Sequence, residues 1–352
     1  MLGGFPCLCA DVHSWCTVCA KAYRKPMPVR YKLSACIVCG KNTVSKAWTT
    51  DSGAISFSAV LAFLVALSSC SDGGASPETT AASRHIAAWG DSSTSGVGAP
   101  DDLSYPAQLQ ALTGRITFNG GVSAQTSDQI AARQGGAPAL LTFPNNTLPS
   151  EGPAVLEFQS TFPITAEGPG PITGTIGGFH GTLSYRTTDG NNNPQLAFTR
   201  DDPGMPEFIP ARSPFHPDTF GREAQINVFW MGNNFFDPQG LESDIARSVA
   251  FVSTPRFIVM SLNNAGDQGF GTDSYDQLAQ INADLAQAYP GNFLDIRRIL
   301  VDSYDPADPQ DVQDHDNDVP PMSLRNDNLH LNEKGYGVVA RHIAAFIAAK
   351  NW

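Results

Sequence analysis

From Ile86 onward, short apolar runs alternate with segments of helical period, and few folds accommodate that rhythm. The runs Ile86-Ala87-Ala88-Trp89, Ile116 to Phe118, Ile226 to Met231, Arg256 to Leu262 and Phe293 to Ile296 have the length and continuity of buried strands. Between them lie helical stretches: Tyr105 to Leu112, a helix capped by Ser127 that runs through Ile130, Leu241 to Val252, and Tyr275 to Tyr289. In the last of these Leu278, Ile281 and Leu285 share one face. A final helix follows Asn332, with Val338, Val339, Ile343, Phe346 and Ile347 as its core stripe. Some five β-α units in succession imply an α/β domain built on a parallel sheet. The rhythm stops between about residues 136 and 222, where Gly, Pro, Thr and Asn dominate and short alternating runs such as Val155 to Phe158 and Thr182 to Tyr185 favour strands. This predicts a β-rich subdomain inserted between the second and third units, either shaping a cleft or decorating one edge. No internal repeat of solenoid length is present.

The 352 residues, 41% of them apolar, suffice for a large packed core. With 22 Lys+Arg against 34 Asp+Glu, the net charge of −12 lacks the basic footprint that nucleic acid requires. All seven cysteines lie at or before Cys70, so the α/β region has no thiol nucleophile, disulfide or thiolate metal site.

The N-terminal part reads differently. Ala54 to Leu67 is uncharged and apolar, preceded by Lys41 and Lys46, and shorter than the roughly 20 residues a spanning helix needs, which fits a cleavable export signal over residues 44–70. Leu67-Ser68-Ser69-Cys70 resembles a bacterial lipobox, which implies lipidation of Cys70 and a membrane-surface location; the alternative is an ordinary cleaved signal. Residues 71–83, rich in Gly, Ala, Ser and Thr, have a tether's composition. In residues 1–43, Cys16-x2-Cys19 and Cys36-x2-Cys39 have the spacing of a zinc ribbon. A metal module ahead of an export signal is anomalous. Three readings stand: a start codon assigned too early, with translation beginning near Val44; a cytoplasmic zinc module on a signal anchor; or unpaired cysteines.

Chemistry concentrates in four places. Ser92 follows the first predicted strand, at the carboxyl edge of the sheet where ligands bind in open parallel sheets. Alone, Gly90-Asp91-Ser92 is a capped turn. Asp327 and His330 lie three apart just before the last helix, so one loop can present a carboxylate to Nδ1 and leave Nε2 free as a base. Between them come Asn119-Gly120-Gly121-Val122-Ser123 and Gly232-Asn233-Asn234. Together and in this order, the four segments resemble the blocks of the SGNH/GDSL hydrolases, over Ile86 to about Ile347 with the insertion excluded.

The resemblance implies a three-layer α/β/α, flavodoxin-like fold over residues 84–350 and a serine hydrolase of carboxylic esters needing no cofactor. It makes Ser92 the nucleophile, His330 the base and Asp327 its orienter, with the oxyanion held by the Ser92 and Gly121 amides and the Asn234 side chain. Ser93 stands where the family's name implies Leu, Phe235 replaces a common aspartate, and the adjacency of Asn233 and Asn234 lets the oxyanion role fall on either. O-acetyl groups on carbohydrate, short-chain esters and acyl transfer all fit, so the substrate is a small-molecule or polysaccharide ester. A reading from another class is a lipid-anchored glycan-binding protein on an idle scaffold. The α/β-hydrolase alternative lacks its Gly-x-Ser-x-Gly elbow.

His85, His180, His216 and His342 have no acid at matching spacing and read as structural or surface groups. The acidic stretch Asp302 to Asp318 begins like a calcium loop at Asp314, Asp316 and Asp318. Val319 stands where that loop's glycine belongs and Arg325 where its glutamate belongs, so an EF-hand is excluded and a solvated acidic loop, or an irregular calcium site, is expected.

Overall fold

A computed structural model describes residues 84–161, 171–187, 194–234 and 237–352, together with three N-terminal strand backbones. The chain divides into two compact units, Met1–Gly74 and Ala75–Trp352. In the first, β1 (Cys16–Ala20), β2 (Ala35–Gly40) and β3 (Thr43–Lys46) form an antiparallel sheet whose backbone register pairs Cys16 with Cys39 and Cys19 with Cys36. The export segment, Cys70, the tether and Phe235 lie outside the described residues.

The second unit begins with β4 (Ile86–Gly90), then α1 (Ser92–Ser95), α2 (Tyr105–Thr113), β5 (Thr117–Gly121) and α3 (Ser127–Gln134). The insertion follows as β6 (Leu140–Thr142), β7 (Thr147–Leu148), β8 (Pro153–Val155), β9 (Phe158–Gln159), β10 (Ile172–Ile176), β11 (Phe179–Thr187), β12 (Pro194–Arg200), β13 (Glu207–Phe208) and β14 (Ser213–Pro217). The α/β pattern resumes with β15 (Ile226–Trp230), α4 (Pro238–Phe251), β16 (Phe257–Met260), α5 (Asp273–Ala288), β17 (Phe293–Leu294), α6 (Ile296–Val301), α7 (Pro309–Asp316) and α8 (Glu333–Ala349).

The main sheet has the order β17-β16-β15-β4-β5 with every pairing parallel. Counted among its own strands in chain order this is 2-1-3-4-5, a doubly wound arrangement whose order reverses between β4 and β15. Both of those strands are buried along their whole length, as expected where helices cover each face of a sheet. Alternation divides their side chains between two cores. Ile86, Ala88, Val228 and Trp230 pack with Tyr105, Leu109, Leu300, Val339 and Ile343 from α2, α6 and α8. Ala87, Trp89 and Phe229 pack with Ile130, Leu241, Ile245, Leu278 and Ile281 from α3, α4 and α5. The result is three layers, with the sheet in the middle.

The insertion is a seven-stranded antiparallel sheet, β8-β12-β11-β10-β14-β6-β9, beside the two-stranded β13-β7, with a separate core of Leu141, Phe143, Leu183, Phe198 and Phe215 among others. Three sequence expectations change. Thr126, not Ser127, caps α3, through a capping box with Gln129. The last strand stops at Leu294 because the Asp295 side chain caps α6 by accepting from the Arg298 N–H. The Asp302–Asp318 stretch is not a solvated loop: it contains α7, whose Asp311 and Asp314 are buried and satisfied.

Candidate active site

Ser92 opens α1 directly beyond β4, at the point where the strand order reverses. Asp91 caps this short helix by accepting from the Ser93 N–H at 3.0 Å, and Gly96 closes it in a left-handed conformation. The turn is held tightly enough that glycine is obligatory beneath it: a Cβ on Gly121 would lie 2.0 Å from the Ser95 nitrogen.

The structure brings three of the sequence candidates together. Ser92 Oγ lies 3.0 Å from His330 Nε2, and His330 Nδ1 lies 2.8 Å from Asp327 Oδ2. The second Asp327 oxygen accepts from the Leu329 N–H at 2.8 Å and the His330 N–H at 2.6 Å, so the carboxylate is locked to its own loop. Partial burial works against its charge, but the bonds from His330 and Leu329 outweigh that and hold the carboxyl below the usual range. Ser92 is 7% exposed, so its side chain is largely withdrawn from solvent. Below it, fully buried Asp91 is pushed up to about 6 by desolvation, which hydrogen bonds from the Ser93 and Asn233 amides offset only in part.

Gly121 does not take the place expected of it. Its N–H donates to Asn119 Oδ1 at 2.9 Å, and its contribution is the close approach of β5 to α1. Ala124, in the turn beyond β5, carries no expectation from the sequence. It has φ of 62°, a left-handed conformation rare for alanine, and its N–H has no acceptor among the described residues. The Ser92 N–H is equally uncommitted. Ala124 is flanked by two contacts to the site: Ser123 Oγ lies 3.3 Å from Ser95 Oγ, and the Gln125 carbonyl accepts from Asn234 Nδ2 at 2.8 Å. Buried Arg133 braces this turn by donating to Gln125 Oε1 at 2.7 Å and to the Gly120 carbonyl at 2.8 Å. No sequence signal marks an alanine at positive φ. Among the described residues, Asn234 keeps one amide hydrogen beyond its bond to Gln125, whereas both polar atoms of the Asn233 side chain are buried without a partner.

Other candidates separate from this site. His180 lies on the insertion between Asp201, at 2.5 Å, and Asp218, at 3.1 Å, and those carboxylates raise its pKa. His315 stacks on Tyr304. No group of three or more His, Cys, Asp or Glu placed to hold a metal ion occurs among the described residues.

No family model matches the chain. A tail spike protein of Salmonella phage epsilon15 is 29% identical over 206 residues, covering 50% of this chain and 19% of the relative, so the match spans about a fifth of that protein. Among solved structures, one described as a lipolytic protein of the G-D-S-L family, from Desulfitobacterium hafniense DCB-2, covers 74% of this chain and 98% of its own at 14% identity and a TM-score of 0.39. A likeness at that score does not establish a shared fold.

Proposed function

We propose that the protein is a serine hydrolase that cleaves carboxylic esters through an acyl-Ser92 intermediate. The observation that carries this reading is the unbroken relay from Ser92 Oγ to His330 Nε2 at 3.0 Å and from His330 Nδ1 to Asp327 at 2.8 Å. A hydroxyl becomes a competent nucleophile only when a neighbouring base takes its proton as it attacks, and a carboxylate on Nδ1 keeps Nε2 available for that proton. His330 then returns the proton to the leaving alcohol, and a water activated in the same way releases the acid. The developing oxyanion needs donors with no prior commitment, a condition that the Ser92 and Ala124 N–H groups meet and that the Gly121 N–H does not. The second amide hydrogen of Asn234 completes the set. These roles, the SGNH/GDSL assignment and the flavodoxin-like description of the fold belong to the same proposal.

The test is covalent. A fluorophosphonate probe should label the intact chain at Ser92 and leave Ser92→Ala unlabelled; well-folded wild-type protein that stays unlabelled would overturn the reading. Acetylated sugars and nitrophenyl esters of graded chain length then separate carbohydrate O-acetyl esters from longer acyl esters. Export and lipidation at Cys70 also stay proposals, supported by the apolar run before it. Mass spectrometry of the mature N-terminus decides them: a diacylated Cys70 supports the lipid anchor, and an unmodified N-terminus elsewhere removes it. No helix among the described residues is long and apolar enough to cross a membrane.

A further inference from the structure

We propose that Arg325 is a positioning residue for the loop carrying Asp327 and His330, gripping that loop through the Asn328 carbonyl while Asp314 fixes its guanidinium from behind. This rests on the triad reading above. The Arg325 side chain is 4% exposed and that of Asp314 is 7% exposed, so the pair is removed from water. Its donors diverge to three different segments. Nη2 reaches Asp314 Oδ2 on α7 at 2.8 Å, Nε reaches the Pro320 carbonyl at 2.8 Å, and Nη1 reaches the Asn328 carbonyl at 3.3 Å. The same Asn328 carbonyl accepts from the Gly266 N–H at 2.8 Å, and Asn328 Nδ2 donates to Asp267 at 2.7 Å. Gly266 is tight against the guanidinium: a Cβ there would lie 2.1 Å from Nη1.

Asn328 sits between the two triad residues, so its carbonyl is a fixed point from which both side chains are aimed. A neutral hydrophobic core could hold α7 against this segment equally well. A planar fork that ties a carboxylate, a loop carbonyl and the catalytic loop at once sets a geometry, and displacing reacting groups by about 1 Å can cost on the order of 100-fold in rate. The acidic stretch thereby acquires a role without a cation: Asp314 is the counter-charge that keeps Arg325 in place, and it also accepts from the Met322 N–H at 2.7 Å.

The experiment separates positioning from folding. Arg325→Met alone strands a buried carboxylate and destabilises the protein whatever its role. The double variant Arg325→Met/Asp314→Asn removes both charges yet keeps an acceptor for the Met322 N–H. It should melt near wild type, lose about 30- to 100-fold in kcat with KM within about twofold, and displace the nitrogen resonances of the His330 ring in isotope-labelled protein. Arg325→Lys keeps the charge but its single nitrogen cannot span acceptors that three guanidinium nitrogens reach, and should lose about 10-fold in kcat with the resonances shifted in the same sense. In either variant, once folded, an unmoved kcat or unmoved His330 resonances overturn the proposal; should the double variant not fold, the lysine variant decides. Wild-type protein without fluorophosphonate labelling removes the esterase reading instead, and the His330 resonances still report on the brace.

Discussion

Asn234 donates one amide hydrogen to the Gln125 carbonyl and retains the other, so truncating it removes a donor and frees the Ala124 turn from one of its ties. Asn234→Ala should lower kcat roughly 100- to 1,000-fold in steady-state ester hydrolysis; a rate within about threefold of wild type would transfer the proposed role to Asn233, whose carboxamide is buried and unpaired among the described residues. Ala124 itself is held at φ 62°, a region that costs an L-residue about 1–2 kcal/mol. Ala124→Gly should therefore leave the N–H in place and raise stability by up to about 1 kcal/mol, read from urea midpoints, once glycine's extra freedom in the unfolded chain is subtracted. Asp91 supplies a prediction in pH. Burial lifts its folded-state value to about 6, above the unfolded value of about 4, so the folded protein binds this proton more tightly than the unfolded chain does. The stability this group contributes is present below about pH 4 and is lost as pH rises from about 4 to about 6, on the order of 3 kcal/mol across the window. Asp91→Asn retains an oxygen for the Ser93 N–H and should flatten that part of the stability profile; parallel denaturation curves for both proteins from pH 4 to 7 would contradict the assignment.

Helix α1 is four residues long and owes its place to what it packs against, because an isolated turn has no stability of its own. Gly121→Ala tests this: with backbone on both sides, the new methyl must separate β5 from α1, and a loss of about 3 kcal/mol or more in thermal unfolding is expected. A wild-type melting temperature would mean that the two backbones can part at little cost. The same glycine shows where sequence reading reaches and where it stops. The meeting of Ser92, Asp327 and His330 could be anticipated because each is a reactive residue type at a predicted strand end or loop, and the pair in the last loop carries its own spacing. The strands and long helices were legible from runs such as Ile226 to Trp230 and from the stripe on α8. The close approach at Gly121 was not legible, because a glycine that lets backbones touch looks in sequence like one that offers an amide, and nothing local distinguishes Ala124 as a positive-φ alanine. Helix α7 was hidden for a different reason. Its aspartates suggested solvent or a cation, while their neighbours are donors far along the chain: Arg325 for Asp314, and the Ser323 N–H and hydroxyl for Asp311. Just beyond the helix Asp318 likewise pairs with Arg297 and Arg298.

On the scale of the whole unit, the two ends of the insertion lie side by side. Phe215 N donates to the Ala139 carbonyl at 2.8 Å, so the chain enters and leaves the β subdomain at adjacent points. Its core of Leu141, Phe143, Leu183, Phe198 and Phe215 is distinct from the two cores that flank the parallel sheet. It meets the α/β layers beside α3 and α4: Thr161 donates to Asp128 at 2.5 Å, and a cavity of about 360 Å³ lies between Asp128, Pro138, Leu140, Ser160, Thr161 and Arg247. Ser92, His330 and Asp327 meet elsewhere, at the end of β4 and the loop before α8. Replacing residues 140–214 by a short Gly-Ser turn, with Phe215→Ser to avoid exposing the ring, should therefore leave a folded α/β core. Loop closure adds little cost because the two ends already touch. Fluorophosphonate labelling of Ser92 should persist at a rate within a few-fold of wild type, since the proposed base His330, Asp327 and the proposed oxyanion donors all lie outside the excised segment. What should change is the ratio of rates across acetylated sugars and simple nitrophenyl esters, if the subdomain contributes to recognition rather than chemistry. A folded variant that loses labelling would show that the insertion supports the nucleophile directly, and would move the boundary of the active site into the β sheet.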